Sequence, residues 1–148
     1  MEFPTLIEGQ PAPHLKAYSK ESAIAEKFEA LVKLNFLTSR MKDVYDILYL
    51  AARETFGMTV LREAVVSTFE KRKTPRKDIR IIFSTEFKTQ REKQEQWLAF
   101  LNRSRLISYE AFSEAIERLE FFLRPVFDDP VSLSRKKTVW HPANWSWL

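Results

Sequence analysis

The chain has 148 residues, of which 45% are hydrophobic and 30% charged, and its net charge is +4 at pH 7. This is the composition of an ordinary globular protein that is long enough to bury one core. The sequence has no cysteine, which excludes disulfides, zinc–thiolate sites and cysteine nucleophiles and suits a reducing cytoplasm. It has two histidines, too few for a histidine-rich metal site, and no apolar run reaches the length of a membrane span.

The first predicted elements are a short lead-in and a long helix. Residues 1–18 contain three of the seven prolines and short apolar stretches, which predict one or two extended segments. Ser19 is suited to cap a helix over about 20–36. We expect Glu29 and Lys33 to form an i,i+4 ion pair on the outer face of this helix.

Two further helices are predicted on either side of a glycine. Thr38 or Ser39 can cap a helix over about 40–56, and Gly57 is placed to end it. Apolar residues at helical spacing then predict a third helix over 59–72, capped by its first residue.

The second half of the chain begins with a break at Thr74-Pro75. The apolar run 79–83, IRIIF, is short and isolated, which favours a buried loop or a lone strand. Ser84 or Thr85 opens a fourth helix, and Ser108 opens a fifth that extends to about Phe127. The predicted core residues of the fourth helix are Phe87, Trp97, Leu98 and Leu101.

The C-terminal tail, VWHPANWSWL, contains three of the four tryptophans. Exposed, these rings would form a large apolar patch, so we expect most of them to pack against the helices. The fold class predicted is mainly α: one helical domain over 19–148, a bundle of about five helices, preceded by one or two short extended segments.

The basic run 71–80, KRKTPRKDIR, carries six cations and one aspartate, so it contributes +5 and the rest of the chain sums to −1. One interpretation is a solvated helix end followed by a loop, because cations complement the last turn of a helix. The alternative is contact with nucleic acid, because phosphates attract Lys and Arg. The candidate contact residues are Lys71, Arg72, Lys73, Arg76 and Lys77.

Three charged residues interrupt the apolar faces of the first two helices. Lys27 falls within an apolar row, and Asp43 and Asp46 lie in an otherwise apolar helix. Charged side chains are rarely buried unless they are paired. The structural interpretation is a partly buried bridge from Lys27 to one of the aspartates. The functional interpretation is an open cleft with partly hydrated side chains, where Lys27 meets an anionic ligand and an aspartate faces a metal or a substrate hydroxyl.

Two blocks of sequence favour the functional interpretation. AEKFEAL at 25–31, followed by SRMKDVYDILYLA at 39–51, strongly resembles the AbiEii/AbiGii toxin-like nucleotidyltransferases. The resemblance extends to the FPTL…AP…AYS lead-in at 3–19 and to QWLAFLNRSRL at 96–106. It implies a bacterial toxin–antitoxin enzyme that transfers a nucleotide from a nucleoside triphosphate to an acceptor such as RNA, with Mg²⁺.

The resemblance also implies roles for individual residues. Lys27 matches the family's catalytic lysine, which contacts the triphosphate, and Asp43 matches the aspartate that completes the active site. Arg40, Lys42 and Asp46 match motif positions for which the resemblance implies nucleotide or substrate binding.

The chain departs from the family pattern in one respect. The family has a Gly-Ser or Gly-Thr loop and acidic metal ligands before these blocks, whereas here Gly9 precedes a glutamine and Gly57 a methionine. We therefore expect the C-terminal part of such an enzyme, with 1–18 as the end of the catalytic core. Alone, it should be inactive and should hold neither Mg²⁺ nor nucleotide tightly.

The expected partner is the missing N-terminal half of the enzyme or an antitoxin-like protein. The alternative function is a helical binding module that contacts RNA or a protein through the basic run 71–80. No membrane association is expected.

Overall fold

A computed structural model describes residues 19–106, 111–127 and 138–148, and it is mainly helical, as predicted. The lead-in 1–18 and the predicted start of the fifth helix at Ser108 lie outside the described residues. The elements in chain order are α1 (Lys20–Leu34), α2 (Met41–Arg53), β1 (Phe56–Gly57), α3 (Met58–Lys71), α4 (Ile79–Ile82), α5 (Thr85–Lys88), α6 (Arg91–Arg103), α7 (Phe112–Phe127), β2 (Val139–His141) and β3 (Ser146–Trp147). Two 3₁₀ turns, Asn35–Leu37 and Arg76–Asp78, lie between helices.

The start of α1 follows the prediction, whereas the boundaries of α2 and α3 do not. The Ser19 hydroxyl accepts from the Ser22 amide at 3.1 Å, the expected N-cap. Arg40 occupies the N-cap position of α2 without a side-chain cap. Gly57 does not end α2; it lies in β1 and takes the N-cap position of α3 that was expected of Thr59.

The end of α2 is set by a small antiparallel sheet. The strand order is β1-β2-β3, with Phe56 opposite Trp140 and Trp140 opposite Trp147. Because the tail pairs with residues 56–57, the chain leaves the helix at Arg53 and becomes extended. This pairing joins residues more than 80 positions apart, which helical periodicity does not reveal.

The tail tryptophans pack against the helices, as predicted. Trp140 is fully buried, and its indole N–H donates to the Ala51 carbonyl at 2.7 Å. The Trp147 indole donates to the Phe122 carbonyl at 2.8 Å, and Trp145 is partly buried against the core. The indole N–H groups are thus satisfied by helix carbonyls, the usual requirement for buried tryptophan.

Three predictions for the segment between α3 and α7 are wrong. IRIIF forms the short helix α4 instead of a strand or loop, and this helix buries Ile79 and Ile82 one turn apart. The predicted fourth helix is two helices, α5 and α6, which are separated at Thr89–Gln90. Ser84 caps α5, whereas Leu98 is 48% exposed because the buried face of α6 runs through its neighbours.

The core joins all the long helices. Helix α1 packs most extensively against α3 and also against α2, while α7 packs against α2 and α3. At its centre the Phe28 ring contacts Phe69, Phe83 and Phe127 at centroid distances of 6.1, 5.9 and 5.5 Å. In the described part of the chain no helix has both the length and the apolar character needed to cross a membrane.

Candidate functional site

A tight connection places the start of α2 beside the middle of α1. Asn35 takes a positive φ of 38°, which asparagine tolerates better than most residues, and turns the chain out of α1. Thr38 is fully buried, and its hydroxyl accepts from the Arg40 amide at 3.1 Å. The two helices therefore run side by side, and Lys27 faces the first turns of α2.

Lys27 contacts both aspartates. Its ammonium nitrogen lies 3.0 Å from Asp46 Oδ2 and 3.7 Å from Asp43 Oδ1. Asp46 also accepts from Lys42 at 2.7 Å, and Asp43 accepts from the Arg40 guanidinium. The bridge of the structural interpretation is therefore present in both of its forms, and each carboxylate has a second cation.

The two ends of this network differ in exposure. The Lys27 side chain is 29% exposed, in agreement with an open cleft, whereas the Asp43 side chain is 8% exposed. The expectation of a partly hydrated aspartate is therefore wrong at Asp43. It lies in the first turn of α2, where Arg40 and the neighbouring helix cover it, and where the helix dipole favours a carboxylate.

Asp46 and Lys42 have perturbed ionisation. Burial alone raises the pKa of Asp46, but the hydrogen bonds and charges of Lys42 and Lys27 outweigh it, so the pKa lies below its ordinary value. The hydrogen bond to Asp46, together with its charge, raises the pKa of Lys42. Both of these side chains are therefore ionised near neutral pH.

A cavity of about 420 Å³ opens beside Lys27. Ala23 and Ala30 lie on the same face of α1 as Lys27, one turn before and one turn after it, and their small side chains leave space next to the lysine. The residues that line the cavity are Ala23, Glu26, Lys27, Ala30, Arg40, Asp43 and Arg72. Three cations and two carboxylates therefore line this cavity.

The third cation, Arg72, is held by a buried carboxylate. Glu29 is 1% exposed and accepts from Arg72 at 3.0 Å and from the Thr74 hydroxyl at 2.6 Å. The prediction of an outer-face pair between Glu29 and Lys33 is therefore wrong, because the end of α3 lies over this face of α1. Sequence reasoning placed Arg72 in a basic run and did not place it in this cavity.

A signal for Glu29 was nevertheless present in the sequence. It lies one turn after Ala25 and one turn before Val32 on the helix, and both of these residues are fully buried. A carboxylate on an apolar row needs a partner, by the same reasoning that singled out Lys27. Its partners are 43 and 45 positions away, and their identity could not be inferred from spacing.

The cavity does not have the composition of a magnesium site. Two carboxylates line it, Glu26 and Asp43, and Asp43 is already paired with Lys27 and Arg40. Among the described residues, no group of three or more His, Cys, Asp or Glu side chains could hold a metal ion. The Mg²⁺ that the resemblance implies does not fit these residues.

The other predicted site residues lie away from the cavity lining. Lys42 and Asp46 flank Lys27 without lining the cavity, and Lys71 and Lys73 are exposed around the end of α3. Arg76 and Lys77 follow the break at Pro75 and line a second cavity. The basic run 71–80 is thus divided between two places on the surface.

One comparison with known proteins gives a match. The family model described as "Nucleotidyl transferase AbiEii toxin, Type IV TA system" matches residues 1–118, which include all the residues that line the Lys27 cavity. Searches of curated proteins and of solved structures give no significant match.

Proposed function

This chain belongs to the AbiEii family of nucleotidyl transferase toxins, and on that premise we propose that the Lys27 cavity binds the triphosphate of a nucleotide substrate. The observation that carries the proposal is the convergence of Lys27, Arg40 and Arg72, from three different elements, on one cavity. A triphosphate carries several negative charges, and arginine and lysine are the side chains that bind phosphate best.

The carboxylates have a positioning role in this proposal. Asp46 holds the ammonium group of Lys27, Asp43 holds the Arg40 guanidinium, and Glu29 holds Arg72. Each cation is thus fixed before a ligand arrives, which reduces the entropy lost on binding.

Nucleotidyl transfer gives these cations a chemical role. An acceptor hydroxyl oxygen forms a bond to the α-phosphorus, the bond from that phosphorus to the bridging oxygen breaks, and pyrophosphate leaves as the hydroxyl loses its proton. Preorganised cations stabilise the charge that develops on the departing oxygens. We assign this role to Lys27 and Arg72 and assign no step to a metal.

Nucleotide binding tests the proposal directly. Calorimetric titration of the chain with each nucleoside triphosphate and with tripolyphosphate should show binding that Lys27→Met and Arg72→Gln each weaken by tenfold or more, because each removes a charge-assisted hydrogen bond worth about 1.5–3 kcal/mol. Lys33→Met is the matched control, since Lys33 is an exposed lysine on the same helix. Absence of binding at millimolar ligand, or equal binding by all variants, would refute the assignment.

We infer in addition that the chain by itself transfers no nucleotide. The sequence has no Gly-Ser or Gly-Thr pair, and the Asp43 carboxylate of the cavity is already paired with Lys27 and Arg40. Incubation with labelled nucleoside triphosphates, Mg²⁺ and total tRNA should leave the RNA unlabelled. Labelling that disappears in Lys27→Ala would show that the site is complete in this chain.

The partner follows from the same proposal. The family description includes a toxin–antitoxin system, so an antitoxin is the expected partner. We propose that a protein segment with a phosphate-binding loop and metal-binding carboxylates completes the Lys27 cavity. If so, labelling should appear when such a segment is supplied.

A further inference from the structure

A second cavity, of about 570 Å³, lies where the basic run 71–80 meets the C-terminal end of α7. The 3₁₀ turn Arg76–Asp78 and helix α4 form one wall, and the last turn of α7 forms the other. Its lining residues are Arg76, Lys77, Ile79, Arg80, Phe83, Arg124 and Phe127. It is distinct from the Lys27 cavity, with which it shares no lining residue.

The rim of this cavity is positively charged. Arg76, Lys77 and Arg80 are exposed, and no carboxylate among the described residues forms an ion pair with them. Arg124 is paired with Glu120, one turn earlier on α7. The described lining contains four cations and no carboxylate, so the cavity attracts anions.

The floor of the cavity is aromatic. Phe83 is partly buried and stacks on Phe28, with ring centroids 5.9 Å apart and an interplanar angle of 19°. Phe127 is also partly buried, and its ring packs against Phe28 and Phe69. Core contacts thus hold both rings in place, and both remain accessible from the cavity.

We propose that this second cavity binds single-stranded nucleic acid, with phosphates on Arg76, Lys77 and Arg80 and a base against Phe83. Cations that follow the backbone and aromatic rings that accept bases are the two features by which proteins bind single strands. An acidic protein would use the cations but leave the rings without a partner. The proposal does not depend on nucleotide binding at Lys27, and each can fail without the other.

The test is fluorescence anisotropy with a labelled 12-nucleotide single-stranded RNA. The variant Arg76→Gln/Lys77→Gln/Arg80→Gln removes three phosphate contacts, each of which contributes about 0.7 to the log–log salt slope, so the slope should flatten by about 2. Because a slope change of about 2 corresponds to about 100-fold over a tenfold range of salt concentration, affinity at 0.1 M salt should fall by up to about 100-fold. The matched control, Arg91→Gln/Arg103→Gln/Arg105→Gln, removes the same charge from exposed positions on and after α6 and should bind like the parent chain.

Two further variants test the base contact and one phosphate contact separately. Phe83→Leu should weaken RNA binding by about tenfold, because it removes base stacking, and should leave binding of base-free polyphosphate unchanged. Arg80→Gln alone should flatten the slope by about 0.7, which keeps the test decisive if the triple variant is poorly folded.

Three results would overturn the proposal. The first is absence of RNA binding by the parent chain. The second is an equal loss in the control variant, which would show that net charge alone attracts RNA. The third is competition by polyglutamate as strong as that by unlabelled RNA, which would assign the surface to an acidic protein.

Discussion

Replacement of Lys27 by methionine separates a ligand-binding lysine from a structural bridge. The substitution removes the charge and keeps most of the aliphatic stem. Asp46 then retains Lys42 at 2.7 Å, and Asp43 retains Arg40. Neither carboxylate is left without a cation.

The expected cost follows from these second partners and from exposure. Removal of one partner from a fully buried pair costs about 3–5 kcal/mol, because the other charge is left unpaired. Exposed pairs contribute about 0.2–1 kcal/mol each. Since Lys27 is 29% exposed and both carboxylates remain paired, we expect a loss of about 1 kcal/mol.

Urea denaturation measures this loss, and a double-mutant cycle with Asp46→Asn measures the coupling. The coupling should also be about 1 kcal/mol or less. Tripolyphosphate at ten times its dissociation constant should stabilise the parent chain by about 1.4 kcal/mol and should stabilise Lys27→Met far less. A loss above 3 kcal/mol with comparable coupling, and no stabilisation by the anion, would show that Lys27 is a structural bridge.

Three further predictions concern other charged residues. Glu29→Ala should cost about 1–3 kcal/mol in urea denaturation, because the buried Thr74 hydroxyl loses its acceptor while the half-exposed Arg72 stays hydrated, whereas an equal change at an exposed glutamate should cost under 0.5 kcal/mol. Asp46 has a lowered pKa in the folded state, so its contribution to stability is present above the ordinary pKa of 3.8 and is lost as the pH falls through the folded pKa. Asp46→Asn should remove this part of the dependence of the unfolding free energy on acid pH. An unchanged dependence in the variant would contradict the prediction. Burial lowers the pKa of Lys93, so between that pKa and 10.5 the unfolded state binds more protons and the free energy of unfolding should rise with pH. Lys93→Met should abolish this rise. The same rise in the variant as in the parent chain would contradict the prediction.

Local sequence signals were sufficient for much of the helical architecture. Ser19 was predicted as a cap, and Ser84 or Thr85 was predicted to open the fourth helix; Ser19 and Ser84 each cap a helix through the third residue after them. Such capping signals depend only on residues within one turn of the helix, so they can be recognised in the sequence before the rest of the fold is known. The same holds for Lys27, because a cation on an apolar row requires a nearby counter-charge and the next helix carries two.

Only the tertiary structure decided which distant side chains complete the site. Arg72 reaches the cavity because α3 packs across α1, and Glu29 is buried for the same reason. The chain leaves the helix after Arg53 because the tail pairs with residues 56–57. Helical periodicity indicates which face of a helix is apolar, but it does not indicate which other element packs against that face. The long-range partners of Glu29 and Phe56 therefore became apparent only when the packing was known.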